Sequence, residues 1–456
     1  MEYFIPLLVV LCYLICRARF GKPFNPIFLI VLWWFGLLEL AQFSIFGIDP
    51  PTLIVNLMTI TMIGSLVVGA LLASPPGLTP KDKKRQLVFT QNRGMVLTIV
   101  GMAVFFYLLY AFWSITGSLS SSDSAPERID AMEASRQVIS GAFHYFVYEY
   151  GVMGLGLLVL VSGAWGLVFK RYQGFVAAVA VALMTCLATR NRFNLYILPV
   201  MVALALICTR PVPGRTLQRR QAVAWLLPML LLFGVFAAMR TSERSTGKGA
   251  SVNDIAMTML NQFVNYHTIG FAMMNQELES QNSLANTTCT FGRSIIGGAD
   301  DIFINLVLKR FTHSVEQVNW VNMEYRNDPV QVGFHDGIPI TANAFYTVMH
   351  TLYIDGRWVA VVVFPCVFGW IVVRTYFRAI RTGFEYEYMW LSMQLFIALA
   401  SAFQSPLEEA RTWSAMLGLF LLARVPMKKY LFAMPFALRR ARMGNQRLHP
   451  MSQEGP

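Results

Sequence analysis

The chain has 456 residues, of which 55% are hydrophobic and only 14% are charged. This balance excludes an ordinary soluble domain and predicts a polytopic membrane protein. The formal net charge of +12 does not indicate nucleic-acid binding, because most Lys and Arg residues lie in short loops, where they hold the topology against anionic lipid headgroups.

Apolar runs recur along most of the chain and predict an all-α fold with about eleven transmembrane helices, within a range of ten to twelve. The runs lie near residues 3–16, 24–46, 52–73, 94–115, 141–169, 175–188, 195–208, 222–239, 358–373, 389–403 and 412–423. Several are shorter than the roughly 20 residues that cross ~30 Å of hydrocarbon, so the alternative for two of them is a re-entrant segment.

The distribution of Lys and Arg over the connections predicts the orientation. Basic residues collect in alternate connections, at 17–22, 81–93, 170–171, 210–220, 374–381 and 424–447. We expect these to be cytoplasmic and the other connections to be outside. The predicted organisation is an N-terminal bundle of about eight spans (1–239), a long outer segment (240–356), about three C-terminal spans (357–424) and a basic cytoplasmic tail (425–456).

The outer segment is polar and net acidic, and we expect short interfacial helices within it. Ser251 to Asp254 is typical of a helix start, and the apolar residues that follow recur at helical spacing, so this helix would lie against the bilayer surface or a neighbouring span. Asp300 and Asp301 predict a second helix start. Paired aspartates also suit a divalent cation, but capping and the helix dipole already favour acids there, and we predict no metal.

The stretch from Thr341 to Tyr353 is apolar but too short to cross the membrane. Ile354 to Arg357 interrupts it before Trp358 begins a full span. We therefore expect this stretch to lie in the interface and then turn down into the bilayer.

Arginines on the outer side are the sharpest chemical signal, since the positive-inside bias does not account for them. Arg190 and Arg192 share one short outer turn. Five more lie in or beside the outer connections: Arg240, Arg244, Arg326, Arg357 and Arg411. A guanidinium suits a diphosphate because its planar fork donates two hydrogen bonds to phosphate oxygens. The alternative is pairing with lipid headgroups or with Glu243, Glu408 and Glu409.

Four of the six histidines lie in the outer segment. His335 is followed by Asp336, a pair that could pass a proton. The alternative for any one of them is a structural, hydrogen-bonded role, because no pair of histidines has metal-ligand spacing on one helix face.

Two stretches carry a family resemblance. The outer turn reads TRNRFNLYILP from Thr189, and the later stretch reads ANAFYTVMHTLYIDGRWVAVVVFPCVFGWI from Ala342. Together with the long outer segment they resemble the bacterial oligosaccharide repeat-unit polymerases of the Wzy type. The matching positions are Asn343, Tyr346, Thr347, Tyr353, Asp355, Gly356 and Gly369.

The resemblance implies polymerisation of undecaprenyl-diphosphate-linked oligosaccharide repeat units into O-antigen or a related surface polysaccharide. A growing glycan would be transferred en bloc to the sugar hydroxyl of an incoming unit, at the periplasmic face of the bacterial inner membrane. The implied enzyme is a glycosyltransferase without a cofactor. Its partners would be the lipid-linked oligosaccharide, membrane lipid and a chain-length regulator protein, with no nucleic acid.

That reaction needs cations for the diphosphate and a base for the acceptor proton. We expect Arg190, Arg192, Arg240 and Arg326 to bind the diphosphate, with Arg244, Arg357 and Arg411 as further candidates, and Tyr346 to stack on sugar. The candidate bases are His335, Asp336, Glu408 and Asp355. For Asp355 the alternative is a cap for the helix that begins near Trp358.

Two other functions remain open at this point. An O-antigen ligase has the same layout and donor but transfers the glycan to the lipid A core. A transporter of polysaccharide or lipid-linked sugar is the non-enzyme alternative, although transporters usually carry ionisable residues at mid-membrane and internal repeats, whereas the charges here gather at the outer surface.

Overall fold

The computed structural model describes residues 4–21, 25–74, 92–118, 147–189, 193–208, 224, 228, 234–235, 252–312, 329–335, 337–342, 346–382 and 385–424. The helices are α1 Phe4–Phe20, α2 Pro26–Gln42, α3 Leu53–Leu72, α4 Asn92–Ser118, α5 Met153–Val168, α6 Tyr172–Thr189, α7 Phe193–Cys208, α8 Val252–Glu279, α9 Leu284–Thr287, α10 Gly297–Leu306, α11 Val348–Thr382, α12 Glu385–Ala400 and α13 Ala410–Arg424. The two strands are β1 Val330–His335 and β2 Ile338–Ala342.

Apolar helices dominate the described part of the chain. Four are long and apolar enough to cross a membrane: Leu53–Leu72, Val96–Trp113, Tyr150–Val168 and Val348–Thr382. Shorter apolar helices cover Pro26–Gln42, Tyr172–Ala188, Leu195–Cys208 and Ala410–Leu422. The structure thus agrees with a helical membrane protein, and the number of spans stays a prediction.

One end of the bundle is held by the predicted cytoplasmic arginines. Arg171, between α5 and α6, forms an ion pair of 2.9 Å with Glu385 at the start of α12. Arg378 near the end of α11 forms one of 2.6 Å with Glu387. Arg19 at the end of α1 donates a hydrogen bond to the carbonyl of Ala73. These contacts join the predicted cytoplasmic connections to one another.

The outer segment packs on the opposite end, against the connection between α2 and α3. Asn275 near the end of α8 accepts a hydrogen bond from the Thr52 amide at 2.8 Å and donates one to the Pro50 carbonyl at 2.9 Å. Because the Asn275 amide satisfies two backbone groups of this connection, the connection is fixed to the outer segment.

A β-hairpin docks beside this junction through backbone contacts. Ile48 pairs with Gly333 of β1, and the Asp49 amide donates to the Val332 carbonyl at 2.8 Å. A Cβ at Gly333 would lie 2.1 Å from the Gly47 carbonyl oxygen. Gly333 has a φ of +154°, so both its conformation and the close approach require glycine.

The hairpin corrects part of the sequence interpretation. β1 and β2 are antiparallel, with His335 opposite Ile338 and a bulge between Gln331 and Gly333. The described chain is otherwise mostly helical, in agreement with the all-α prediction, which did not include this hairpin. The predicted apolar stretch is also divided, because its first two residues belong to β2 and its helical part begins only at Val348.

The predicted break before Trp358 is confirmed. Gly356 and Arg357 leave helical geometry within α11, and Arg357 adopts a left-handed φ of 55°. The outer piece of α11 ends at this kink, and the long apolar piece continues from Trp358. A left-handed arginine is strained, so the surroundings must hold it in place.

Helix α8 begins at Val252, as the sequence predicts for this region, and Ser251 itself lies outside the described residues. Phe271 is fully buried and its ring lies 6.4 Å from that of Trp34, while the His267 ring lies 5.4 Å from that of Trp33. The sequence predicted that this helix lies either against the bilayer surface or against a neighbouring span. The later part of α8 packs against an apolar helix, α2.

Helix α2 also contacts the C-terminal part of the chain. The indole nitrogens of Trp33 and Trp34 donate hydrogen bonds to the carbonyls of Leu399 and Ala398, at 2.9 and 3.0 Å. These carbonyls belong to the last turn of α12, where the regular helical hydrogen bonds come to an end. The tryptophans thus fix the end of α12 against α2.

Helices α3 and α11 approach each other through glycines. A Cβ at Gly69 would lie 1.8 Å from the Cys366 carbonyl oxygen, and one at Gly369 would lie 2.1 Å from the Leu66 carbonyl oxygen. Small residues let apolar helices approach closely, which is how membrane helices gain packing energy. The matching position Gly369 therefore has a structural role in this chain.

We expect Gly369→Ala and Gly69→Ala each to destabilise the protein by about 1–3 kcal/mol, because the added methyl groups overlap backbone carbonyls. Thermal unfolding in detergent measures the effect. Gly64→Ala is the matched control in α3, since a Cβ there meets nothing within 4 Å. Equal melting temperatures for all three variants would refute the close approach.

Candidate functional site

Six of the predicted site residues fall within the described chain. They are His335, Tyr346, Asp355, Arg357, Glu408 and Arg411. The other six lie outside the described residues: Arg190, Arg192, Arg240, Arg244, Arg326 and Asp336. The structure brings several members of the first group together at the outer end of α11.

A buried group of acids and hydroxyls surrounds the start of α11, and we call Glu277, Tyr346, His350, Thr351 and Glu408 the outer acid–base cluster. The hydroxyl of Tyr346 donates to Glu277 Oε1 at 3.1 Å, and Glu277 Oε2 lies 3.6 Å from His350 Nε2. The rings of Tyr346 and His350 lie 4.2 Å apart. The carboxylate of α8 is thereby joined to α11.

The cluster continues through the next residue of α11. Thr351 donates a hydrogen bond to Glu408 Oε1, in the 3-10 turn Pro406–Glu408. His350 is 0% exposed, Glu277 4% and Glu408 8%. Two buried carboxylates, Glu277 and Glu408, thus face two consecutive residues of α11. Burying a carboxylate costs stability unless the carboxylate has a hydrogen-bond or charge partner. Buried acids with specific partners are found at functional sites.

The pKa of Glu277 lies below its usual range. Burial acts to raise the pKa, but hydrogen bonding and charge from His350, with hydrogen bonds from the Ala285 amide and Tyr346, lower it by more. Glu277 belongs to α8, which is not among the candidate spans. The carboxylate form is therefore the one that this environment favours.

Because the pKa of Glu277 is lower in the folded protein, this carboxylate stabilises the fold at pH values above its ordinary pKa of 4.5. The stabilisation is lost as the pH falls through the lower pKa of the folded state. We expect Glu277→Gln to be less stable than the unmodified protein at neutral pH, with the difference shrinking below pH 4.5. Chemical unfolding across this range measures it. A stability difference independent of pH would contradict the assignment.

Asp355 is an anchor for the loop before α10. Its carboxylate accepts hydrogen bonds from the amides of Ser294 and Ile295, at 2.9 and 2.6 Å, and from the hydroxyl of Thr290. The side chain is 4% exposed. Both carboxylate oxygens accept hydrogen bonds, so this geometry suits a residue that positions the loop better than one that transfers a proton. The carboxylate caps the backbone of this loop instead of the helix that continues from Trp358.

Arg357 extends the same junction. Its Nη2 donates to the Asn286 carbonyl at 2.8 Å, and its guanidinium lies 5.0 Å from the centre of the Tyr353 ring. Nη1 is buried and has no hydrogen-bond partner among the residues that the structure describes. The guanidinium thus keeps one donor that no described residue uses, and its role in binding the diphosphate stays a prediction.

We expect Asp355→Ala to weaken the anchor by about 3 kcal/mol, because two buried amides lose their acceptor. Hydrogen exchange at residues 294 and 295 should then accelerate by about a hundredfold. Asp300→Ala is the control, since Asp300 forms a partly exposed ion pair with Arg293 and should cost less than about 1 kcal/mol. Unchanged exchange in Asp355→Ala would refute the anchor.

Arg411 pairs with Glu409, one of the acidic partners that the sequence analysis gave as the alternative to diphosphate binding. Its guanidinium donates two hydrogen bonds to Glu409, which also accepts one from Gln404 at 3.0 Å. Arg411 also borders a cavity of about 20 Å³ whose wall is otherwise apolar apart from Thr185. This space is sufficient for one water molecule and too small for a sugar.

The other two predicted residues occupy different surroundings. Tyr346 is 4% exposed and belongs to the acid–base cluster, so it does not present its ring for sugar stacking in this structure. His335 is exposed at the end of β1, next to the hairpin turn. The structure therefore separates His335 from the buried cluster.

Asp300, the first of the paired aspartates of α10, forms an ion pair with Arg293. Helix α10 begins at Gly297, and Asp300 in its first turn accepts two hydrogen bonds from Arg293, at 2.9 and 3.0 Å. Within the described ranges, no group of three His, Cys, Asp or Glu side chains could hold a metal ion. The local arginine thus satisfies this acid.

Glu277 was not selected from the sequence, and His350 was only one of four outer histidines. A signal for Glu277 was present, because it lies three and six residues after Met274 and Phe271 on the buried face of α8. An acid on an apolar helix face needs a buried partner.

Comparisons with protein-family models, with curated protein sequences and with solved structures found no match to this chain.

Proposed function

We propose that this protein is a membrane glycosyltransferase that polymerises undecaprenyl-diphosphate-linked oligosaccharide repeat units. The observation that carries the proposal is the outer acid–base cluster. It lies at the end of the helical bundle opposite the basic loops, beside a junction that contains Arg357. Proton acceptors and cations on one side of an apolar bundle suit a reaction between two lipid-linked substrates.

The chemistry has two requirements. The acceptor hydroxyl attacks the anomeric carbon of the donor glycan, its proton passes to a base, and the bond to the diphosphate breaks with the electron pair remaining on the diphosphate oxygen. A carboxylate accepts the proton, and guanidinium groups stabilise the charge of the departing diphosphate.

Glu408 is our first choice for the proton acceptor. It is the only predicted base among the described residues that belongs to the acid–base cluster, and the neighbouring pair of Glu277 and His350 offers a second route for the proton. His335 and Asp336 stay as sequence-based candidates. Glu408 is buried, so substrate binding must open the 404–411 connection to reach it.

Diphosphate binding is assigned to the outer arginines. Arg357 is supported by its buried, unused Nη1, and Arg411 by its place beside Glu408 and Glu409. For Arg190, Arg192, Arg240, Arg244 and Arg326 the support is the sequence alone. In this proposal the protein crosses the bacterial inner membrane eleven times and its active face is periplasmic. Its proposed protein partner is a chain-length regulator.

An O-antigen ligase would use the same donor and the same side of the membrane. It differs in the acceptor, which is the lipid A core in place of a second repeat unit. The acceptor therefore distinguishes the two activities.

We expect purified, reconstituted protein to convert undecaprenyl-diphosphate repeat units, without nucleotide sugars, into products spaced by whole repeats. Separation by size measures this. With an intact substrate and an active control enzyme, the absence of a ladder refutes the polymerase. Transfer to added lipid A core would then identify a ligase.

Site variants test the assigned roles in the same assay. Glu408→Gln should lower the rate by about a hundredfold or more, since it cannot accept the proton, and Arg190→Ala or Arg192→Ala should abolish extension. Two control variants should keep the normal ladder. Glu385→Gln removes a buried carboxylate at the predicted cytoplasmic end of the bundle, and Arg293→Ala removes a cation of the outer segment. A normal ladder removes the substituted residue from the site.

A further inference from the structure

Helix α10 and its flanks expose an unusual set of large apolar side chains. These are Phe291, Ile296, Phe303, Leu306, Val307 and Phe311. Phe291 is 88% exposed and Phe311 83% exposed. A soluble surface rarely exposes so many large apolar groups within one short segment.

Three of the exposed groups, at the two ends of α10 and within it, lie on one face of the helix. Ile296, Phe303 and Val307 follow one another at seven and four residues, which is the spacing of a single helical face. Ile304 is 1% exposed and lies on the packed side. The helix therefore has one apolar face toward the protein and a second apolar face that no described residue covers.

Two polar side chains of α10, Asp300 and Asn305, form hydrogen bonds within the protein. Asp300 accepts both hydrogen bonds from Arg293. The side-chain amide of Asn305 donates to the hydroxyl of Tyr150 at 2.6 Å. With these groups satisfied, the outward face can leave water without breaking a hydrogen bond.

The location of α10 indicates what covers the face. A Cβ at Gly298 would lie 2.3 Å from the Glu409 carbonyl carbon, so α10 is pressed against the residue before α13. Asn305 contacts Tyr150, where the span Tyr150–Val168 begins. Helix α10 thus packs beside the ends of two apolar helices, α13 and the span that begins at Tyr150.

Exposed apolar side chains are also present on α13. Leu417, Phe420 and Leu421 are exposed on α13. Lys309 follows α10 and is also exposed, and a lysine beside an apolar face can extend its ammonium group toward lipid phosphates.

We infer that α10, with its flanking residues Phe291 and Phe311, is inserted into the outer leaflet of the bilayer as an interfacial helix. The occupant of its apolar face is phospholipid acyl chain, and Lys309 binds the headgroup phosphates. This assignment is independent of the reaction. It places a membrane-embedded surface directly beside the Asp355 anchor and the 404–411 connection, on the route of any lipid-linked ligand.

The test uses the full chain in phospholipid nanodiscs, with the photoreactive residue p-benzoylphenylalanine in place of Phe303 or Phe311. Both sites are phenylalanines, so the change in shape is small. Gln281 is the control position, because it is exposed and lies between Ser280 and Asn282 in the same outer segment. After illumination, lipid adducts are quantified by mass spectrometry, and size-exclusion profiles verify that each variant is folded.

We expect about tenfold more phospholipid adduct at positions 303 and 311 than at position 281, because a buried interfacial face contacts acyl chains continuously. Adduct yields equal to those at position 281 would overturn the inference. So would crosslinks to a second copy of the chain in place of lipid, since they would show that protein covers this face. Neither result depends on whether the protein polymerises glycans.

Discussion

The arrangement of the outer segment depends on one buried carboxylate at the kink of α11. Asp355 accepts hydrogen bonds from Thr290, Ser294 and Ile295 just before the helix leaves its axis at Gly356 and Arg357. The loop before α10 is thereby fixed to a membrane helix, and the strained arginine beside it is held facing that loop. A polar tie at this point is effective because the surrounding groups are desolvated and an unpaired carboxylate would be costly.

The same helix carries the acid–base cluster one turn earlier. His350 and Thr351 face Glu277 of α8 and Glu408 of the 404–411 connection, which are far apart in the sequence. Any opening that exposes Glu408 must also move the 404–411 connection, which packs on α10 through Gly298. The proposed proton acceptor and the proposed bilayer contact are therefore mechanically linked. Lipid packing around α10 would influence how readily the cluster opens.

The sequence predicted what depends on local pattern. Apolar runs located the helices, and glycine with a charged neighbour located the break at residues 356 and 357. The hairpin was missed because Thr341 to Tyr353 forms one apolar stretch, while β2 forms by pairing with β1, whose Gly333 contacts the backbone of Gly47 and Ile48. The pairing of Glu277 with His350 depends on how α8 lies against α11, which periodicity does not specify. The diphosphate-binding roles of Arg190 and Arg192, which lie outside the described residues, stay predictions.

The contacts between the first and last helices affect the order of assembly during synthesis. Trp33 and Trp34 of α2 bond to the final carbonyls of α12, and α3 packs on α11 through Gly69 and Gly369. A ribosome makes α2 and α3 long before either partner, so these helices must wait in the bilayer with their interfaces covered by lipid. Completion of the C-terminal helices closes the bundle. A truncated chain would therefore lose its N-terminal packing as well as its C-terminus, and cellular quality control would recognise it as an unassembled membrane protein.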